Sequence, residues 1–186
     1  MLLLQLLVIG CAEMVLVFAD EIKYDMQVIN VETIEGSEKY FEYNYTLDKV
    51  SELNFKVSGN IRQLIQMDNK YALSLKLSRA ELNDNADPPV YEEVAALSKP
   101  LCEFLTTIYR MYFYEKLKEI SNFPHYETCP LPVADYWFKD YAFEGENYRA
   151  FMRDGRFKLE SYLCEEDAVL GGIITIITVT PVENAK

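Results

Sequence analysis

Cysteines, one histidine, scattered carboxylates and serines are the reactive side chains of this chain, and their spacing argues against catalysis. Cys11, Cys102, Cys129 and Cys164 include no Cys-x-x-Cys pair, and no second histidine is present to complete a Cys/His cluster. A zinc site is therefore not expected, nor is any other metal or cofactor. His125 lies in Phe-Pro-His-Tyr between a helical and an extended stretch, with no partner to orient it, and reads as a surface residue rather than a general base. Asp135, Asp140, Asp154 and Glu160 make no recognisable carboxylate pair, and no serine stands in a Gly-x-Ser-x-Gly elbow. Gly171-Gly172 is too short to cradle a phosphate and reads as a bend or bulge. No enzyme is expected. Asn44-Tyr45-Thr46 is an N-glycosylation sequon, and Asn44 falls on the polar parity of its strand, so a glycan is expected there.

The environment in which these groups work is set by the first nineteen residues. MLLLQLLVIGCAEMVLVFA is an apolar block, shorter than an uninterrupted membrane span and broken by Glu13, that ends in a small-x-Ala site before Asp20. It reads as a secretory signal, although its leading end lacks Lys or Arg. The expected mature chain is one extracellular domain, residues 20–186, with no membrane anchor. Outside the cell a disulfide persists. Cys11 leaves with the signal, and the odd number that remains allows at most one internal pair. Cys102 and Cys129 flank a predicted helix and its exit loop. Pairing them closes a loop with a separation of 27 residues, which the geometry permits, and which would stabilise by about 3–4 kcal/mol. Cys164 is then the odd cysteine. It shares strand parity with Lys158 and Glu160 and is expected on the solvent side as an exposed thiol.

The formal net charge is −12, from 30 acidic against 18 basic residues, which opposes nucleic acid or an anionic membrane as partner. Aromatics are abundant, with 14 Tyr and 10 Phe, whereas Gly and Pro number seven each, so the chain is neither disordered nor of low complexity.

Most of the mature chain carries apolar residues at period two. Phe41, Tyr43, Tyr45 and Leu47 alternate with polar residues; so do Leu53, Phe55 and Val57, and then Tyr71, Leu73, Leu75 and Leu77. These predict half-buried strands, as does the run from Met26 to Ile34. Asn83 to Pro89 predicts a loop at which the strands pause. From Ser98, a plausible N-cap, the period changes: Leu97, Leu101, Phe104, Leu105, Ile108 and Tyr112 recur at helical steps, predicting one amphipathic helix over 98–121 that stops before Pro124. Strands resume over 134–143, over 148–164 folded about Asp154-Gly155, and over 171–182. The expected fold is mainly β: a two-sheet antiparallel sandwich or cup with one inserted helix.

Three stretches carry a resemblance. Leu101-Cys102-Glu103-Phe104-Leu105, the run Cys129-Pro130-Leu131-Pro132-Val133-Ala134-Asp135-Tyr136-Trp137, and Phe151 to Glu160 resemble the secreted insect CheA/CheB chemosensory family, which is similar to the ganglioside-activator and MD-2-related lipid-recognition proteins. The resemblance extends over about residues 98–163. It implies the Cys102–Cys129 pair, a β-cup, and carriage of a lipid or hydrophobic semiochemical between two sheets, in gustatory or pheromone perception. None of the motifs is a catalytic signature.

If the sheets enclose a ligand, its walls are drawn from the apolar strand faces. Phe41, Tyr43, Tyr45 and Phe55 would line it from the first strands, Tyr71, Leu73 and Leu75 from the next, and Phe138, Phe157 and Leu159 from the second half. The same stripes equally suit a filled sandwich core. The alternative function is then a secreted interaction module that docks on an extracellular receptor or other protein without a small ligand.

Overall fold

The computed structural model describes residues 23–82, 88–145 and 153–182. The apolar segment 1–19 with Cys11, most of the 83–89 stretch and the start of the 148–164 stretch lie outside the described residues. Among the described residues eight strands and one long helix follow in order, with a short 3-10 turn at Ser37–Lys39: β1 (Tyr24–Thr33), β2 (Phe41–Lys49), β3 (Asn54–Gln63), β4 (Tyr71–Ala80), β5 (Glu92–Pro100), helix α1 (101–120), β6 (Ala134–Glu144), β7 (Gly155–Glu165) and β8 (Ala168–Pro181). All pairings are antiparallel. They build a five-stranded sheet in the order β1-β8-β7-β4-β5 and a three-stranded sheet in the order β2-β3-β6. Two sheets facing each other with an inserted helix is the predicted fold class.

The helix differs from the expectation in its start and its pitch. Ser98, on β5, pairs with Ser74 of β4, and the chain turns helical only at Leu101, after Pro100. Glu92 to Ala96 is an exposed edge strand with little hydrophobic alternation to reveal it. No side chain caps the helix from within; the Cys102 N–H instead donates to the Asn69 side chain (3.0 Å). Between the α-helical ends Leu101–Phe104 and Glu115–Ile120, residues Leu105–Tyr114 form a wide π-helix. Each π turn takes an additional residue, which rotates the apolar stripe. Leu101, Leu105 and Tyr109 are buried, with Tyr114 and Leu117 packed behind them, whereas Tyr112, expected on the buried face, is 60 % exposed.

A second correction concerns Asp154-Gly155. The pair stands at the entry to β7, where Gly155 has φ 152° and Arg79 donates through Nε (2.9 Å) to the Asp154 carbonyl. β7 makes its hairpin with β8 instead, through Glu166, which adopts φ 52°. Gly171 and Gly172 are buried in β8, Gly171 against Ser37 and Gly172 against the Ser161 carbonyl; the Ser37 hydroxyl accepts from the Gly172 N–H (2.9 Å) and donates to the Ile34 carbonyl. A Cβ on Gly171 would lie 2.7 Å from that hydroxyl oxygen.

The apolar interior divides into two clusters. One joins Met67, Leu101, Leu105, Tyr109 and Leu163 beneath the helix; the other joins Met26, Leu53, Phe55 and Val179 at the opposite end. Both draw on both halves of the molecule and tie the sheets together at their ends. The helix leads into a segment that covers the free edge of β6: the Trp137 N–H donates to the Asn122 Oδ1 (2.6 Å), and the Asn122 amide donates to the Asp135 carbonyl (2.9 Å). A Cys102–Cys129 disulfide, Cα–Cα 5.7 Å, fastens the start of the helix to the chain that enters β6. Among the described residues no helix is long and apolar enough to cross a membrane.

Candidate functional site

Between the two core clusters the sheets do not meet. A cavity of about 400 Å³ opens there, and a second lobe of about 250 Å³ lies toward the helix. Tyr43, Ile61 and Ile173 border both lobes, so the two adjoin. Their volumes fall in or just below the range of pockets that enclose a drug-sized ligand.

The larger lobe has Tyr43, Tyr45 and Phe55 on the small sheet, Phe138 on β6, and Leu159 across from them on β7. The smaller lobe has Phe41, Leu73 and Leu75. Eight of the ten residues expected to line a cavity thus do so. Tyr71 and Phe157 do not. Tyr71 packs against the cluster beneath the helix, and Phe157 against the cluster at the far end.

The strands bring in residues that period two does not reveal. In β6 a bulge interrupts the pairing: Val57 opposes Tyr141, whereas Gly59 opposes Phe138. Asp140 sits in the bulge with φ 55° and its N–H donates to the Ser58 hydroxyl (2.9 Å). The bulge resets side-chain parity, so that Tyr136 and Phe138 before it, and Tyr141 and Phe143 after it, all border the cavity. Gly59 makes the close approach possible, since a Cβ there would lie 2.5 Å from the Asn44 carbonyl oxygen. A bulge between Val28 and Asn30 does the same in β1, placing both Val28 and Val31 on the lining. Strand β8 adds Ile173 and Ile177, but Ile174 and Ile176 between them are apolar too, so its inner face has no signature in the sequence.

Among the described residues no lining residue of either lobe is charged. The polar exceptions are few. Asn44, Asn60 and Thr175 border the larger lobe, the two asparagines facing each other as a cross-strand pair and both exposed. Gln63 and Ser161 border the smaller one, and Gln63 is 5 % exposed. At the seam between β1 and β2 the Thr33 and Tyr43 hydroxyls share a hydrogen bond of 2.8 Å, and farther along Lys49 Nζ meets Asp25 at 2.5 Å. The aromatic rings of Phe41, Tyr43 and Tyr45 run as a row beside this seam, with centroids 6.5 and 6.1 Å apart.

His125, Glu160 and Cys164 lie outside the cavity lining. His125 is exposed, its ring edge-on to Tyr114 at 5.1 Å. Glu160, expected on the solvent side, is buried on the outer face of the large sheet at 7 % exposure, where it accepts from Tyr162 (2.7 Å) and pairs with Lys158 (3.1 Å). Burial alone would push its carboxyl up, yet the Tyr162 hydrogen bond and the Lys158 and Lys76 ammonium groups outweigh it and hold the carboxyl below its usual range. Burial and Glu160 together push the Tyr162 phenol up to about 12. Cys164 is a free thiol but half-buried rather than exposed, and burial pushes its pKa up.

A family model described as "Protein of unknown function (DUF1091)" matches residues 83–159, less than half of the chain. The match takes in the helix, both bridged cysteines, β6 and the beginning of β7. No curated protein matches the chain.

Proposed function

We propose that this protein is a secreted, non-enzymatic carrier that holds a lipid or hydrophobic semiochemical between its two sheets. The observation that carries the reading is the uncharged, aromatic- and aliphatic-lined cavity left between two separately packed ends. A filled sandwich closes such space, because interiors pack as densely as organic crystals. Transfer of apolar ligand surface out of water, at about 25 cal/mol per Å², would supply the affinity. The CheA/CheB-like stretches, which coincide with the family-matched region, favour a role in chemosensation. Secretion is supported by the apolar leader and by a disulfide of the kind that persists in oxidising compartments. On the same reading Asn44, exposed on β2, carries a glycan, which a mass shift on glycosidase treatment of insect-cell protein would reveal.

The competing reading, a receptor-docking module, draws on Met111, Tyr112 and Phe113, which expose 71, 60 and 36 % of their surface on the helix. Native mass spectrometry of protein from a eukaryotic host separates the two. A co-purifying hydrophobic molecule, or saturable uptake of fatty acids, hydrocarbons or glycolipids, supports the carrier. Clean protein that takes up none of these favours the module.

A further inference from the structure

We propose that the smaller lobe selects a neutral ligand bearing a hydroxyl, and that Gln63 is the residue that recognises it; the inference rests on the carrier reading. Gln63 points inward from the end of β3 and is buried among Met67, Leu131 and Tyr136, which border the same lobe. Its side-chain nitrogen donates to two carbonyl oxygens, those of Ile65 and Leu131, each at 3.0 Å. Both partners are acceptors only, so the amide orientation is fixed by chemistry: the nitrogen must face them and the carbonyl oxygen must face away. That nitrogen has no further hydrogen to give. Oε1 has no hydrogen-bond partner among the described residues and is left as an acceptor beside a space walled mostly by apolar groups. Ser161 borders the same lobe with a hydroxyl that can donate or accept.

Such a lobe discriminates by charge and by donor. An ionised carboxylate or phosphate would enter a lining with no Lys, Arg or His among the described residues to neutralise it, and would meet the oxygen of Gln63 as a second acceptor. A pure hydrocarbon fits the apolar walls but leaves Oε1 unanswered. An alcohol satisfies both, its chain extending past Tyr43, Ile61 and Ile173 into the larger lobe and its hydroxyl donating to Oε1.

Competition against bound N-phenyl-1-naphthylamine tests this with three ligands of one chain length: 1-decanol, decane and decanoate, at about pH 8, where the carboxylate is ionised. The expected order is decanol first, about fivefold tighter than decane, the worth of one net hydrogen bond, with decanoate weakest. Gln63→Met should erase the advantage of decanol over decane, whereas a merely structural lesion would weaken both together and keep their ratio. Equal binding of decanol and decane by the unmodified protein, or decanoate binding tightest, would overturn the inference while leaving the carrier reading intact. A full decanol preference retained in Gln63→Met would overturn the role of Gln63. If neither the probe nor any of the three ligands binds, the carrier reading falls and the inference with it.

Discussion

Tyr43 and Thr33 share a 2.8 Å hydrogen bond between β2 and β1, so the two sheets are joined hydroxyl to hydroxyl along a seam beside the cavity. The same tyrosine ring borders both lobes. One side chain therefore serves as wall and as fastening.

Tyr43→Phe keeps the wall and removes the fastening. The bond is largely solvent-exposed, so the expected loss of stability is below about 1 kcal/mol. Exchange of bound probe should nevertheless quicken, because the seam then opens without breaking a hydrogen bond. Stopped-flow dissociation of N-phenyl-1-naphthylamine checks this, and an unchanged off-rate would show that ligand enters elsewhere.

Leu75→Trp distinguishes space from packing. Leu75 borders the smaller lobe, and a larger side chain there should occupy that space, lowering ligand uptake at little cost in stability. In a closed core the same change typically costs about 1–3 kcal/mol because neighbours are forced off their rotamers. Lys76→Trp, one residue on and on the outer face near Glu160 and Glu93, serves as the control. Thermal unfolding measured beside probe binding reads both quantities.

These lining residues were most legible in the sequence where strands keep an uninterrupted period of two. β2 and β4 do so, and Phe41, Tyr43, Tyr45, Leu73 and Leu75 all reach the cavity. β6 does not: the left-handed Asp140 shifts its parity, and Tyr141 and Phe143 turn inward against the pattern. The helix fails for a related reason. Its periodicity was visible, but a π segment has no hydrophobic signature of its own, so the projected face drifted from Tyr109 to Tyr112. Gln63 is a third kind of miss, since its inward direction follows from two backbone carbonyls brought together by the fold. The Cys102–Cys129 bridge was legible from the helix-to-loop spacing, which permits it, together with the family resemblance, which implies the same pair.

The outer face of the large sheet predicts acid sensitivity. In the folded protein the Glu160 carboxyl lies below its ordinary value of 4.5, so its ionised form is the one that the fold favours. The stabilisation is therefore present above about pH 4.5 and is lost as pH falls through the lower folded value. Asp25, which Lys49 and Gln27 hold below its ordinary value against the opposing effect of burial, acts in the same sense. Glu160→Gln should destabilise the protein at neutral pH, and the gap from the unmodified protein should narrow as the pH is lowered. Urea unfolding across that range measures it; a gap independent of pH would mean that Glu160 contributes through packing alone.

Cys164 and the bridged pair should respond differently to thiol reagents. Burial raises the Cys164 pKa, so at neutral pH less of it is thiolate than in a free cysteine, and thiolate is the reactive form. In protein lacking the first nineteen residues, one thiol should react with Ellman's reagent, slowly in the native state and quickly in denaturant. Reducing the Cys102–Cys129 bridge frees the start of the helix from the approach to β6 and restores the entropy of a loop with a separation of 27 residues, an expected loss of about 3–4 kcal/mol. Because that helix covers the smaller lobe through Leu101, ligand affinity should fall together with stability on reduction. Non-reducing peptide mapping fixes the connectivity first: a Cys129–Cys164 peptide would contradict the bridge, and rapid native labelling of Cys164 would contradict its burial.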